Sequence, residues 1–272
     1  MIKVNSSHRI TNYKKVTYDY CPSFSGIVSG ECKGDLWVDD IENPNIAIVS
    51  SYAVGSFAFL GNIKLDEEYK DLEEFIKIEL FPLLKTKGVN YFEFSIEDDN
   101  LRSHILKMFS DREIQSEKEF SFRKSDKILE LLSLPEEFII HEVDYKLWNL
   151  VNEGSIENEI FMTERIVKSW ENFESFLEKS LAFCIMYYNR IIAVIVGTGK
   201  FNNVISIDIE TEEAYRNRGL GLVLTKKCVN ECIRRGMIAQ WDCVESNPIS
   251  QKLAKKAGFK FMKQNEVYWF NI

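Results

Sequence analysis

One stretch of this chain limits its possible folds more than any other. Between residues 204 and 235 an apolar strand, a turn rich in arginine and glycine, and a long helix follow one another. Apolar residues alternate before the turn and recur every four positions after it, at Leu220, Leu224, Cys228 and Cys232. A period of two predicts a strand, and a period near four predicts a helix. The turn therefore lies at a helix N-terminus.

The turn reads Arg216-Asn-Arg-Gly-Leu-Gly221, an R-x-x-G-x-G pattern. Glycines let the main chain approach a ligand, and the first N–H groups of a helix have no partner within the helix. The helix dipole adds positive charge there, and arginine donates in a fork that fits phosphate oxygens. We therefore expect this turn to bind a pyrophosphate; the alternative is that it is an ordinary surface turn. The predicted contacts are Arg216, Asn217, Arg218, Gly219, Leu220 and Gly221.

A second block follows about thirty residues later, Asn247-Pro-Ile-Ser-Gln-Lys-Leu-Ala-Lys-Lys-Ala-Gly-Phe259. Both blocks stand in the order and spacing of the GNAT superfamily of acetyl-CoA-dependent N-acetyltransferases, which the chain resembles over residues 180–272. Within it, the sequence is similar to the zwittermicin A resistance acetyltransferase subgroup. The resemblance implies acetyl-CoA as co-substrate and direct transfer of its acetyl group to a small amine, such as an aminated metabolite or antibiotic.

Length and composition favour a compact globular protein. The chain has 272 residues, enough for two domains, and 45% of them are hydrophobic. No apolar run approaches the roughly 18 residues of a membrane span, and the first residues lack a signal-peptide core, so a cytoplasmic protein without a membrane partner is expected. The six cysteines form no CxxC and the three histidines have no metal-ligand spacing, so neither disulfide nor metal is expected. Monomer and homodimer both remain open.

Charge is distributed unevenly along the chain. The formal net charge is −8, yet residues 214–265 carry eleven Lys and Arg against three acidic residues, a local balance of +8. This basic region would attract the phosphates of a cofactor, and the acidic remainder suits a cationic amine. Solubilising surface charge is the simpler alternative. The overall negative charge argues against a nucleic-acid partner, because such proteins present a basic footprint.

The apolar pattern predicts the same order of elements twice. The first half is expected to form strands at 26–29, 36–38, 46–51 and 57–60, a helix over 66–87, a strand at 89–96, a helix over 100–109 and a strand at 119–123. The second is expected to form helices over 145–153 and 164–181, strands at 182–188, 191–198 and 204–210, a helix over 219–235, a strand at 237–243, a helix over 250–256, and strands near 259 and at 267–270. Gly88 and Gly236 close the long helices, 148 residues apart, as in a diverged duplication.

We therefore predict an α/β (α+β) protein of tandem GNAT-like domains, each a mixed, mostly antiparallel sheet flanked by helices. Residues 1–135 form the first domain and residues 136–272 the second, with the boundary within residues 124–145. The first domain has three acidic residues near the start of its long helix and no glycine pair there, so it would repel a pyrophosphate. It is expected to be a degenerate, non-catalytic copy, while the second domain carries the cofactor motif.

Acetyl transfer needs a fixed donor, a deprotonated amine and stabilisation of an oxyanion. Ser206, Asp208 and Glu210 share one face of the predicted strand. Glu210, or Asp208, is expected to take the proton of the amine; a carboxylate that only binds the amine, or that faces solvent, is the alternative. The resemblance implies that this strand separates from its neighbour. Main-chain groups near Ile207 and Ile209 would then bind the pantetheine arm and the oxyanion.

Further cofactor contacts are expected at Thr211, Asn247 and Ser250, although a helix cap is an equal possibility in the second block. The family often has a tyrosine after the leucine of this block, which protonates the departing thiolate, whereas Ala254 follows Leu253 here. Cys243, Tyr215 or water are alternative proton donors. Unassisted departure is also open, because a thiol pKa of about 8.5 makes a tolerable leaving group.

Two other functions compete with acetyl transfer. A non-enzymatic acyl-CoA-binding or interaction protein would explain the missing tyrosine. An aminoacyl transferase with tandem GNAT-like domains would share the duplication. The latter would need a basic groove for RNA, which a chain with a net charge of −8 does not indicate.

Overall fold

The computed structural model describes residues 1–5, 10–64, 66–128 and 134–272. Its strands are β1 (Ile2–Lys3), β2 (Gly34–Val38), β3 (Ile46–Ser51), β4 (Ser56–Gly61), β5 (Tyr91–Ile96), β6 (Gln115–Lys124), β7 (Phe138–Glu142), β8 (Ala182–Tyr187), β9 (Arg190–Phe201), β10 (Val204–Thr211), β11 (Ile238–Val244) and β12 (Lys260–Asn271). Its α-helices are α1 (Pro22–Val28), α2 (Asp66–Phe75), α3 (Phe81–Thr86), α4 (Asp99–Met108), α5 (Tyr145–Asn152), α6 (Ile160–Ser169), α7 (Phe173–Lys179), α8 (Leu220–Arg234) and α9 (Pro248–Lys256). A π-helical turn, Ile76–Leu80, joins α2 to α3.

The chain divides into two compact units. Unit 1 comprises Met1–Glu119, Val244–Ser246 and Gln264–Ile272, and unit 2 comprises Phe120–Cys243 and Asn247–Lys263. The division falls after Glu119, whereas the sequence pattern placed the boundary after residue 135. Part of the expected boundary region, residues 129–133, lies outside the described residues.

Unit 1 contains a mixed sheet in the order β1-β2-β3-β4-β5-β12. The pair β4–β5 is parallel, and the pairs β1–β2, β2–β3, β3–β4 and β5–β12 are antiparallel. Its core is aromatic: the ring of Phe92 lies 4.8 Å from that of Phe57 and 5.3 Å from that of Phe81. Phe270 of β12 joins this cluster, with its ring 4.9 Å from that of Phe109. The last strand of the sequence thus completes the core of the first unit.

Unit 2 contains a sheet in the order β6-β11-β10-β9-β8-β7. The pair β10–β11 is parallel, and β7–β8, β8–β9 and β9–β10 are antiparallel. Helix α8 packs on β8, β9 and β10. Its predicted inner face is confirmed, since Leu220, Leu224, Cys228 and Cys232 are all buried. The two units therefore share a strand order in which antiparallel strands lead to one parallel pair, as the predicted fold class requires.

Four expectations about elements were wrong. The segment 26–29 belongs to helix α1 and not to a strand, because Pro22 fixes the first turn of a helix and a short apolar run does not distinguish the two. The helix expected over 164–181 is two helices, because Asn172 caps a new one by accepting from the N–H of Ser175 at 2.8 Å. A strand, β7, for which no element was predicted, lies in the region expected to contain the domain boundary. The strands expected near 259 and at 267–270 are one strand, β12.

The edge strands also differ from their expected placement. Residues 119–123 were assigned to the first domain, but Phe122 is buried in the core of unit 2. Residues 267–270 were assigned to the second domain, but Tyr268 and Phe270 are buried in the core of unit 1. The burial of these aromatic side chains decides the sheet that each strand joins, and sequence order does not reveal it.

None of the helices in the described ranges combines the length and the apolar character needed to cross a bilayer. All six cysteines are free thiols.

Replacing Phe270 with alanine should destabilise unit 1 by about 3–5 kcal/mol, because it removes a buried ring from the aromatic core. Phe261 lies on the same strand but is 57% exposed, so Phe261→Ala is the matched control and should cost much less. Urea denaturation monitored by circular dichroism measures both changes. Equal, small effects of the two substitutions would show that the last strand does not support the core of unit 1.

Candidate active site

The candidate site is organised around the point at which β10 leaves β11. The strands run parallel and pair over residues 204–206 and 238–240, and this ladder ends at Ser206. Beyond that residue β10 stays paired with β9 as far as Thr211, while β11 continues to Val244. One edge of β10 therefore faces an opening instead of a ladder partner on β11. This is the separation that the family resemblance implied.

Helix α8 follows β10 after a short turn, and its first N–H groups have no acceptor. Gly219 precedes the helix with a φ of 80°, and Asn217 has a φ of 63°. The Gly219 carbonyl accepts from the N–H groups of Leu222 and Val223, at 3.1 and 3.2 Å. Within the described residues, the N–H groups of residues 218–221 donate to no other atom. They form a row of donors at the positive end of the helix dipole.

The two glycines of the turn serve different purposes. A Cβ on Gly219 would meet no atom within 4 Å, so this glycine is required for its left-handed φ and leaves the main chain accessible. A Cβ on Gly221 would lie 3.2 Å from Leu253 Cδ2 and 3.6 Å from Ile209 Cδ1. Gly221 therefore allows α8, α9 and β10 to approach each other closely.

Arg216 and Arg218 are exposed, and neither pairs with a carboxylate in the described part of the chain. Arg216 Nε donates to the carbonyl of Thr211 at 3.1 Å. The guanidinium of Arg218 lies over the ring of Tyr215, 5.2 Å from its centroid. These contacts hold both groups beside the turn and leave N–H donors for an anion.

Alternation along β10 separates an apolar face from a polar one, as predicted. Ile205 and Ile207 are buried in the core of unit 2, and Ile209 packs against it. Asp208 and Glu210 lie on the other face, with side chains 49% and 40% exposed. The two carboxylates therefore share one surface, next to the opening.

Arg165 of α6 bridges these carboxylates, a contact that the sequence did not predict. Its Nε donates to Asp208 Oδ2 at 2.7 Å, its Nη2 donates to Glu210 Oε2, and its Nη1 donates to the Phe161 carbonyl at 2.7 Å. Burial disfavours the charge of Arg165, but the two carboxylates outweigh it and raise the pKa of the guanidinium. Two negative groups and one positive group leave one net negative charge on this surface.

No spacing in the sequence links Arg165 to its partners, which lie 43 and 45 residues further along the chain. The available signal was the helix predicted over 164–181, which begins next to this arginine. Its pairing depends on the packing of α6 against β9, which only the tertiary structure shows.

The second block of the sequence motif forms a helix cap. Asn247 Oδ1 accepts from the N–H of Ser250 at 3.0 Å, and Ser250 Oγ accepts from Trp241 Nε1 at 2.8 Å. Asn247 is therefore the cap of α9, and the Ser250 hydroxyl holds a buried indole. The Asn247 amide group keeps its N–H donors, so a cofactor contact there stays a prediction.

Ala254 occupies the position where the family often has a tyrosine, and it is fully buried in the core of unit 2. Cys243 is also buried, with its Sγ 4.0 Å from the Phe120 carbonyl. Tyr215 packs beneath Arg218, and its ring lies 6.1 Å from that of Tyr187. A proton from water and unassisted departure of the thiolate both fit this arrangement. In the described ranges, no three or more His, Cys, Asp or Glu side chains are grouped to hold a metal ion.

Comparisons with known proteins cover both units. The model of the GNAT acetyltransferase family matches residues 17–268. Uncharacterized N-acetyltransferase YdfB of Bacillus subtilis (strain 168) is 25% identical over 253 residues, which are 92% of this chain and 91% of the relative.

Solved structures show the same fold. A GCN5-related N-acetyltransferase-like protein from Streptococcus suis 89/1591 matches 87% of this chain and 88% of its own, with a TM-score of 0.60 and 21% identity. A tandem GNAT protein from the clavulanic acid biosynthesis pathway matches 97% of this chain and 92% of its own, with a TM-score of 0.56 and 10% identity. Because the family match spans nearly the whole chain, the protein belongs to the GNAT acetyltransferase family and is an acyltransferase of that type.

Proposed function

We propose that the protein transfers the acetyl group of acetyl-CoA to the amine of a small molecule, and that unit 2 carries the reaction. The observation that carries this proposal is the opening beyond Ser206, which leads in sequence to a helix with unpaired first N–H groups. A free strand edge suits an extended, amide-containing arm, and a helix N-terminus suits a pyrophosphate. GNAT enzymes use a donor with both parts, acetyl-CoA.

In the proposed complex the pyrophosphate binds the N–H groups of residues 218–221, and Arg216 and Arg218 neutralise its charge. The pantetheine arm lies along β10 and bonds to main-chain groups of Ile207, Ile209 and Thr211. The remaining predicted contacts are Asn217, Leu220, Asn247 and Ser250.

Bound acetyl-CoA supplies a thioester carbonyl, at which a C–N bond to the amine forms while the C–S bond breaks and its electron pair leaves with sulfur. Main-chain N–H groups near Ile207 and Ile209 stabilise the charge that develops on the carbonyl oxygen. Glu210 takes the amine proton directly or through a water molecule. Arg165 bonds to Oε2 of Glu210, and Oε1 has no partner among the described residues.

The same ion pairs support a second role for these carboxylates. Arg165 fixes the orientation of Asp208 and Glu210, and the surface keeps one net negative charge. A cationic amine is attracted to such a surface, and in this second role Glu210 binds the substrate while water acts as the base. The two roles differ in the kinetic constant that a substitution changes.

The acceptor that we propose is a small amine-bearing metabolite or antibiotic. The negative surface around Asp208 and Glu210 supports a cationic acceptor. The likeness to the zwittermicin A resistance subgroup supports an antibiotic among the candidates. A panel of amines, each tested for CoA release, identifies the acceptor.

Unit 1 is proposed to be a non-catalytic copy that binds no acetyl-CoA. Near the start of α2, Glu68 Oε2 accepts from the N–H of Lys64 at 2.7 Å, and Glu68 Oε1 accepts from Asn45 Nδ2 at 3.2 Å. A carboxylate of the first turn of α2 thus binds the N–H of Lys64 just before the helix, where unit 2 has its glycine turn. It would repel a pyrophosphate at the same place.

Replacing Gly219 with leucine should abolish the rise in melting temperature that acetyl-CoA causes, because the side chain fills the space beside the phosphate-binding N–H groups. For the natural protein, acetyl-CoA at a hundred times its Kd should add about 2.7 kcal/mol of stability. Gly236→Leu is the matched control: Gly236 follows the same helix with a φ of 74°, and its Cβ also meets no atom within 4 Å. A full shift in the Gly219 variant would place the phosphates elsewhere.

If Glu210 is the base, Glu210→Gln should lower kcat by roughly a hundredfold and leave acetyl-CoA affinity nearly unchanged. The deficit should shrink as pH rises, since more of the amine is then already neutral. Asp208→Asn tests the alternative base in the same way, because Asp208 bonds to the same guanidinium; a larger loss of kcat in this variant would make Asp208 the base. Initial rates of CoA release at several pH values measure both variants.

A Glu210 variant with a raised KM for the amine and an unchanged kcat would assign Glu210 to substrate binding. A variant with neither change would place this carboxylate outside the site.

A further inference from the structure

Ser206 holds the one buried side-chain oxygen or nitrogen, among the described residues, that has no hydrogen-bond partner. The residue is 5% exposed. Buried hydroxyl groups are nearly always hydrogen-bonded, because an unpaired one has lost its bonds to water without replacement. An unpaired hydroxyl beside a proposed binding site therefore indicates a donor or acceptor that a ligand uses.

Ser206 lies where the ladder between β10 and β11 ends. It is the last residue of β10 that pairs with β11, where its register partner is Gln240. The Gln240 side chain has other partners: its Oε1 accepts from Arg123 Nε at 2.8 Å, and its Nε2 donates to Asp242 Oδ1 at 3.0 Å. The neighbouring amide thus leaves the Ser206 hydroxyl unpaired at the narrow end of the opening.

The side chain of Ser206 lies on the polar face of β10. Ile205 and Ile207 point into the core, so alternation places Ser206 on the face of Asp208 and Glu210, where the proposed amine approaches. From Thr211 to Ser206 the strand runs five residues, roughly 16 Å. This length is comparable with an extended pantetheine arm. An arm that starts at the N-terminus of α8 and follows β10 therefore ends beside Ser206, and its end is the acyl thioester.

We propose that Ser206 Oγ–H donates a hydrogen bond to the acyl carbonyl oxygen of bound acetyl-CoA, as a side-chain member of the oxyanion site. The inference rests on the proposed function and adds a catalytic residue to it. Because Glu210 lies four residues further along the strand, roughly 13 Å away, it would then act through bridging water and not directly. As the C–N bond forms, the carbonyl π pair moves onto oxygen and the hydrogen bond strengthens. As the C–S bond breaks, that pair returns to form the amide carbonyl. Ser206 keeps its proton throughout.

Titration calorimetry with acetyl-CoA and with CoA tests the contact by binding alone. Ser206→Ala should weaken acetyl-CoA binding by about fivefold, the value of one ordinary hydrogen bond, and leave CoA binding unchanged. Ser206→Thr keeps the hydroxyl and should retain the natural preference for acetyl-CoA. In the acetyl-transfer assay, Ser206→Ala should lower kcat by about a hundredfold, as expected for a lost oxyanion donor.

Infrared spectroscopy supplies a direct signature. In acetyl-CoA isotopically labelled at the acetyl carbonyl carbon, the carbonyl stretch should move to lower frequency on binding to the natural protein. The shift should be smaller with Ser206→Ala and preserved with Ser206→Thr.

Ser25→Ala is the matched control for a buried serine. Ser25 is fully buried in unit 1, and its Oγ donates to the Tyr18 carbonyl at 2.9 Å. This substitution should lower the melting temperature of the free protein and leave the ratio of acetyl-CoA to CoA affinity intact. Ser206→Ala should not lower the melting temperature, because it removes no hydrogen bond from the free protein.

Two results overturn the assignment of Ser206. One is an unchanged affinity ratio together with an unchanged carbonyl stretch in Ser206→Ala. The other is an equal loss of CoA and acetyl-CoA binding, which would place the hydroxyl on the arm and not on the acyl group. If the natural protein binds neither molecule, the proposed function itself fails, and the assignment of Ser206 falls with it.

Discussion

The proposed chemistry of unit 2 depends on the separation of β10 from β11 beyond Ser206. This separation coincides with a register shift between β10 and β9: Ser206 pairs with Gly199, but Ile207 pairs with Gly197, so Thr198 is an extra residue on β9. Such a bulge bends a strand and increases its twist. The bulge thus gives a physical reason for β10 to leave one neighbour at Ser206 while it remains bound to the other.

Buried side chains hold this bulge in place. The Gly197 carbonyl accepts from Trp170 Nε1 at 2.9 Å and from Ser180 Oγ at 2.7 Å. A Cβ on Gly197 would lie 2.4 Å from both Ile205 Cδ1 and Ser180 Oγ, so only glycine fits there. The opening is therefore supported from β9, which flanks β10 on the side away from β11.

The sequence predicted the parts of the site that depend on local chemistry. The turn at 216–221 could be predicted because a strand period, two glycines and a helix period follow each other directly in the sequence. The two faces of the strand could be predicted from the alternation of apolar and polar residues. Three features could not be predicted: the ion pairs of Arg165, the sheet that each edge strand joins, and the lack of a hydrogen-bond partner for the Ser206 hydroxyl. Each depends on which elements pack together, and no local pattern encodes the partner of a side chain more than 40 residues away.

The proposed assignment of cofactor binding to unit 2 alone does not follow from the fold, which the two units share. Both contain antiparallel strands, one parallel pair and a helix that follows the parallel pair's first strand. In unit 2 that helix begins with an accessible left-handed glycine and unpaired N–H groups, whereas in unit 1 the Glu68 carboxylate accepts from the N–H of Lys64 just before the helix. A carboxylate at this helix end disfavours a second anion there. The proposed division into a cofactor-binding unit and a structural copy therefore rests on the few residues of the first helical turn.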